Sequence, residues 1–91
     1  MKEYVKLLIE DHKELNARIE TVEHFVYDRD GNNSLLNMNN KSPEVAKRDC
    51  LEYANLTIQL RGMKMYRDAL TARLLNARII IKDGHYMAEV E

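Results

Sequence analysis

The sequence predicts an all-α fold: an antiparallel two-helix coiled-coil hairpin with a short C-terminal β-like tail, in an oligomeric protein. Three observations predict it. Apolar residues recur at a mean step near 3.5 over two long stretches, the repeat that lets two helices share a seam. An Asn- and Gly-rich segment separates the stretches. The period changes near residue 79, where an Asp-Gly pair lies between two short apolar runs.

The first helix is expected over residues 2–28. Val5, His12, Ile19 and Val26 occupy the first core position of each heptad, with Leu8, Leu15 and Val22 at the second. Residues 29–41 form the loop, and Asn33, Asn37, Asn39 and Asn40 favour turns there. Asp28, Asp30 and Gly31 have the wrong spacing for a calcium loop, whose glycine stands at the sixth position.

The second helix is expected over 42–78. Ser42 is the N-cap, Pro43 takes the first helical position, and Glu44 complements the helix dipole. Its core positions are Ala46, Tyr53, Leu60, Arg67 and Leu74, and then Leu56, Met63, Leu70 and Ala77. Gly62 lies in mid-helix, at a cost of about 1 kcal/mol relative to alanine. A close backbone approach is one reason to keep it. The tail, 79–91, reads either as a β-hairpin on Asp83-Gly84 or as an extension of helix two through Ile81 followed by a loose end.

The connection is long for two helices, and helix one ending near Asp28 with helix two beginning near Ser42 predicts partners whose numbers add to roughly 70, pairing Arg18 with Glu52, Phe25 with Val45, Asp11 with Gln59, and Tyr4 with Tyr66. Helix two then outreaches helix one by roughly 15 Å at its C-terminal end. Leu74, Leu75, Ala77 and Ile79–Ile81 are expected there without partners in their own hairpin, and therefore at an interface between subunits.

Ninety-one residues make a single domain, and a lone two-helix seam buries little apolar surface. The charge of −1 is unevenly spread. Residues 1–30 hold eight acids and five bases, whereas 41–82 hold nine bases and four acids. This balance argues against duplex DNA, whose binders make many phosphate contacts, but is compatible with a small anion on helix two. Cys50 is alone, so it forms no intrachain disulfide. No apolar run is long enough for a membrane span and no signal peptide is expected, which points to a soluble cytoplasmic protein.

The chemistry-bearing candidates cluster on helix two. Arg67 occupies a core position, where a charge needs a partner. Gln59, Tyr66 and Arg73 repeat at seven-residue spacing along one flank, with Lys64 beside them and Tyr4 opposite in the expected register. Tyrosine rings stack on bases, and guanidinium and ammonium groups hold phosphates, so Tyr4, Gln59, Lys64, Tyr66, Arg67 and Arg73 form the candidate ligand site. The plainer reading makes Tyr66 seam filler and the arginines partners of acids on a second chain. His12 reads as a hydrogen-bonded structural histidine, with ligand or pH sensor as the alternatives. No catalytic triad, glycine-rich phosphate loop or metal-ligand spacing appears, so neither an enzyme nor a cofactor is expected.

Two stretches carry a resemblance. Tyr4, Glu10, Glu14-Leu15, Ile19 and Phe25-Val26, followed by Gln59-Leu60, Met63, Tyr66, Leu70 and Arg73-Leu74, resemble a family of small phage and prophage helical-hairpin proteins. The similarity spans both helices, about two-thirds of the chain. It implies an accessory protein in the cytoplasm of the bacterial host. Phage proteins of similar build include sponges that sequester cyclic nucleotides or ADP-ribose derivatives used in antiviral signalling. The expected function is therefore an oligomeric, non-catalytic sponge for a small anionic nucleotide. The alternative is a helical interaction protein that blocks or scaffolds a host or phage protein.

Overall fold

The computed structural model describes residues 2–27 and 33–89. Helix α1 runs Glu3–Val26 and α2 runs Pro43–Asn76, with a 3-10 turn at Ser34–Leu36 between them. Strands β1 (Ile79–Lys82) and β2 (His85–Ala88) follow as an antiparallel hairpin. Asp28, Asp30 and Gly31, whose spacing argued against a calcium loop, lie outside the described residues.

The expected core positions lie inside the hairpin. On α1 Val5, Leu8, His12, Leu15, Ile19 and Val26 are buried and Val22 is half-buried. On α2 Leu60, Leu70 and Leu74 are buried and five other expected core positions are half-buried, as is Ala77 just past its end. One contiguous core runs from Val5 through Leu74 to Ile79.

The helices stop slightly inside their expected limits. Tyr27 turns extended (φ −129°, ψ 131°) and ends α1 at Val26. Ser42 caps α2 as expected, its Oγ accepting the Val45 N–H at 3.3 Å. At the other end Arg78 takes a left-handed φ of 63° and redirects the chain into β1, so α2 ends at Asn76 rather than residue 78. The β-hairpin reading of the tail is correct. Asp83 and Gly84 both have positive φ, the turn that matches strand twist, and Ile81 pairs with Tyr86. Ile79, Ile81 and Tyr86 pack against the helical core.

The register corrects one expectation. Glu23 meets Lys64 rather than Lys47, His12 meets Thr71 rather than Ile58, and Tyr27 meets Tyr53 rather than Pro43. The long connection does not set the two helix ends level with each other. Asn33 bonds back to the Phe25 and Val26 carbonyls, while Lys41 bonds Asp49 at 2.8 Å and the Leu35 carbonyl at 3.3 Å. The loop thus lies along the first turns of α2. The overhang is therefore the N-terminal end of α2, not its C-terminal end. Leu74 is fully buried and Ile79 nearly so within their own chain, Ala77, Ile80 and Ile81 are half-buried, and of the six residues Leu75 alone stays exposed as expected, so a wholly unpartnered C-terminal end no longer argues for assembly.

Candidate functional site

The corrected register brings Tyr4 alongside the last turn of α2. Tyr4, Leu8, Ala72, Arg73, Asn76 and Ala77 line a hollow of about 400 Å³. A second hollow of about 620 Å³ shares Tyr4, Asn76 and Ala77 with it and continues to Lys2, Arg78 and Glu89. Two of the six candidate residues, Tyr4 and Arg73, thus face one space at the open end of the hairpin. An exposed phenol and a guanidinium there can stack on and fork around a planar anion.

The other four candidates stand apart from it within one chain. Gln59 turns its amide to the Met63 sulfur at 3.9 Å and borders a hollow of about 330 Å³ with Arg18, Thr21 and Val22. Lys64 sits 3.0 Å from the Glu23 carboxylate and lines a further hollow of about 330 Å³ with Tyr27, Arg61 and Asp68. Arg67 is half-buried and lies 3.4 Å from Asp68. Tyr66 is exposed on the flank. The physical reason is pitch. Seven-residue spacing keeps Gln59, Tyr66 and Arg73 on one flank but separates successive members by about 10 Å along the axis.

Among the described residues a hydrogen-bonded polar cluster lies elsewhere, around His12. The Tyr86 hydroxyl is 2.6 Å and the Asn16 amide nitrogen 3.2 Å from His12 Nδ1. His12 Nε2 is 2.8 Å from Thr71 Oγ1, and the Thr71 hydroxyl donates to the Arg67 carbonyl at 3.0 Å. The amide can only donate to Nδ1, so Nδ1 is the acceptor and Nε2 carries the proton. Nε2 then donates to Thr71 Oγ1, whose own hydroxyl donates to the Arg67 backbone carbonyl. An imidazole in this tautomer presents no lone pair to Thr71, so the pair is a structural lock rather than a base-activated nucleophile.

Burial, and secondarily the Arg67 charge, lower the His12 pKa below 6.5. Burial raises that of Tyr86, against a smaller opposing effect of the Asn16 hydrogen bond. The Tyr86 ring stands edge-on to His12, with Lys13 Nζ 5.3 Å from its centroid. The cluster joins α1, α2 and β2. Sequence reasoning placed His12 in the core but had no signal for Tyr86, which lies 74 residues away beyond the heptad pattern. Asn76, which lines both end hollows, was also missed, because a polar residue at a helix end carries no distinctive spacing.

Among the described residues no group of three or more His, Cys, Asp or Glu side chains is placed to hold a metal ion. No helix among them is long and apolar enough to cross a membrane. Compared with known protein families, curated proteins and solved structures, the chain has no match.

Proposed function

We propose that this chain is a non-catalytic binder that holds a small anionic nucleotide at the open end of the hairpin and sequesters it. The observation that carries the reading is the shared hollow of Tyr4 and Arg73, which leads on toward Lys2. A tyrosine offers a base a stacking face, and a guanidinium offers a phosphate two parallel donors. A cyclic nucleotide or an ADP-ribose derivative has both features. A phage accessory protein acting as an oligomeric sponge against antiviral signalling in the host cytoplasm is the setting this chemistry suits. Gln59, Lys64, Tyr66 and Arg67 contribute only from a neighbouring subunit, since their own chain holds them away from the hollow.

Calorimetry against a panel of cyclic nucleotides and ADP-ribose derivatives tests the reading. Binding at micromolar Kd or tighter is expected for one class, with no turnover of the ligand. Arg73→Ala and Tyr4→Ala each weaken it by about tenfold or more, as loss of a charge-assisted bond or a stacking ring implies. Binding no tighter than millimolar across the panel removes the proposal.

A second reading, a helical interaction protein, is favoured by one observation. The outer face of α2 carries large exposed apolar side chains, among them Leu51, Ile58, Met65 and Leu75. Co-purification of a stoichiometric protein partner, with no bound nucleotide, would replace the first reading by this one.

A further inference from the structure

Helix α2 has two apolar faces. One is buried against α1. The other lies on the exposed side of the helix and repeats every seven residues as Leu51, Ile58, Met65 and Ala72, its Ala72 end bordering the end hollow beside Tyr4 and Leu8. Leu51, Ile58 and Met65 are 57%, 65% and 68% exposed, so this second seam has no cover in its own chain. One edge of it reads Ala54, Arg61, Asp68, Leu75, and the other reads Asn55, Gly62, Ala69, Asn76, all exposed. Gly62 sits at the middle. A Cβ added there meets nothing within 4 Å, so nothing in the hairpin explains a residue that costs a helix about 1 kcal/mol. A second helix approaching closely would explain it.

The pattern matches itself when reversed. With Met65 on a two-fold axis, Arg61 of one helix meets Asp68 of the other, twice over. Ala54 meets Leu75, and Ile58 meets Ala72, so large side chains fall against small ones. On the other edge Gly62 meets Ala69 and Asn55 meets Asn76. Helices running antiparallel about such an axis keep equivalent edges together, as an isologous contact requires. The one like-charge approach, Lys64 with its copy, lies on the outer flank, where each lysine is held at 3.0 Å by its own Glu23. About 23 residues of each helix overlap, roughly 33 Å of contact. The buried area is on the order of 1,000 Å² in total, the lower end of specific interfaces.

We propose that a second copy of this chain packs on the outer face of α2, antiparallel, with Met65 on the two-fold axis and Arg61 paired with Asp68 across it. This stands on the outer seam and not on nucleotide binding. It nonetheless bears on the end hollow. The pairing sets Gln59 of the second copy within about 3 Å of the level of Arg73 along the axis, and so brings a residue that the single chain holds elsewhere toward the hollow from outside.

Sedimentation and disulfide trapping test the pairing in the full chain with Cys50→Ser. The protein is expected to be dimeric at about 100 micromolar, with a Kd in the micromolar range for an interface of this size. Met65→Glu and Ile58→Glu, both at exposed positions, convert it to a monomer with unchanged helical circular dichroism. Gly62→Ala weakens self-association at least tenfold while raising the melting temperature of the monomer. A mixture of Ile58→Cys and Ala72→Cys proteins forms a crossed disulfide under mild oxidation, whereas Ile58→Cys alone does not link to itself. A monomer at that concentration with native helicity overturns the proposal, as does self-linking of Ile58→Cys, which signals parallel pairing. Loss of nucleotide binding by Arg73→Ala leaves each of these readouts unchanged, so the two proposals fail separately.

Discussion

Replacing His12 with phenylalanine is the sharpest test of how this hairpin is locked. The ring and its volume remain, but both nitrogens go. The 2.6 Å bond to Tyr86 and the 2.8 Å bond to Thr71 are lost, each worth about 1 kcal/mol net, and with them the longer 3.2 Å bond from Asn16, whose half-buried amide can turn to water at little cost. Thr71 keeps its bond to the Arg67 carbonyl, and half-buried Tyr86 can still reach water, so neither partner is left wholly unsatisfied. The expected loss is therefore about 2 kcal/mol near pH 7.5. The sign of the pH effect follows from the lowered pKa. The unfolded histidine takes up a proton near pH 6.5, while the folded one, desolvated and beside Arg67, resists it. Native stability is thus full above about pH 6.5 and falls on acidification through that value, by at most about 1.4 kcal/mol per pH unit from this one group. The variant lacks that slope, so the gap between the two proteins narrows toward pH 5.5. His24 and His85 are exposed and present in both, so they cancel. Urea unfolding followed by circular dichroism at several pH values measures this. An unchanged stability at pH 7.5, or an identical acid-side slope in both proteins, would refute the lock.

Two further outcomes follow from the fold. Leu74→Ala removes a side chain with no exposed surface at the junction of α1, α2 and β1, and should cost 2–5 kcal/mol, about the range for buried leucines, read as a fall in the urea midpoint. Had the C-terminal end of α2 been the free overhang, the same change would be nearly neutral. Ser42→Ala removes the Oγ bond to Val45 and should cost about 1 kcal/mol, with faster amide exchange confined to the first turn of α2.

Periodicity located the seam because a side chain's distance from its neighbours along a helix is fixed by local geometry. Every core position read from the heptads is buried or half-buried, including the polar ones, His12 and Arg67. Local chemistry likewise placed the Ser42 cap and the Asp83-Gly84 turn. What periodicity does not contain is a zero point. Sliding one helix along the other leaves both heptad patterns intact, and the choice is made by the path of residues 33–42 along α2 and by the Lys41–Asp49 pair. The pairings that favoured the shorter register were surface matches worth at most about 1 kcal/mol each, too weak to fix it. The end hollow inherits this. Tyr4 and Arg73 were both read as site residues, but their meeting depends on register, and so does the separation of Gln59, Tyr66 and Arg67 from them.

The bond between His12 and Tyr86 spans nearly the whole sequence. During synthesis α1 emerges early, yet its polar core position waits for a side chain made 74 residues later. Until then the nascent helix has only a loop and an incomplete α2 to lean on. A contact of such long range carries the largest loop-closure cost, so the refolding hairpin is expected to pair from its loop outward and to close the His12 lock last.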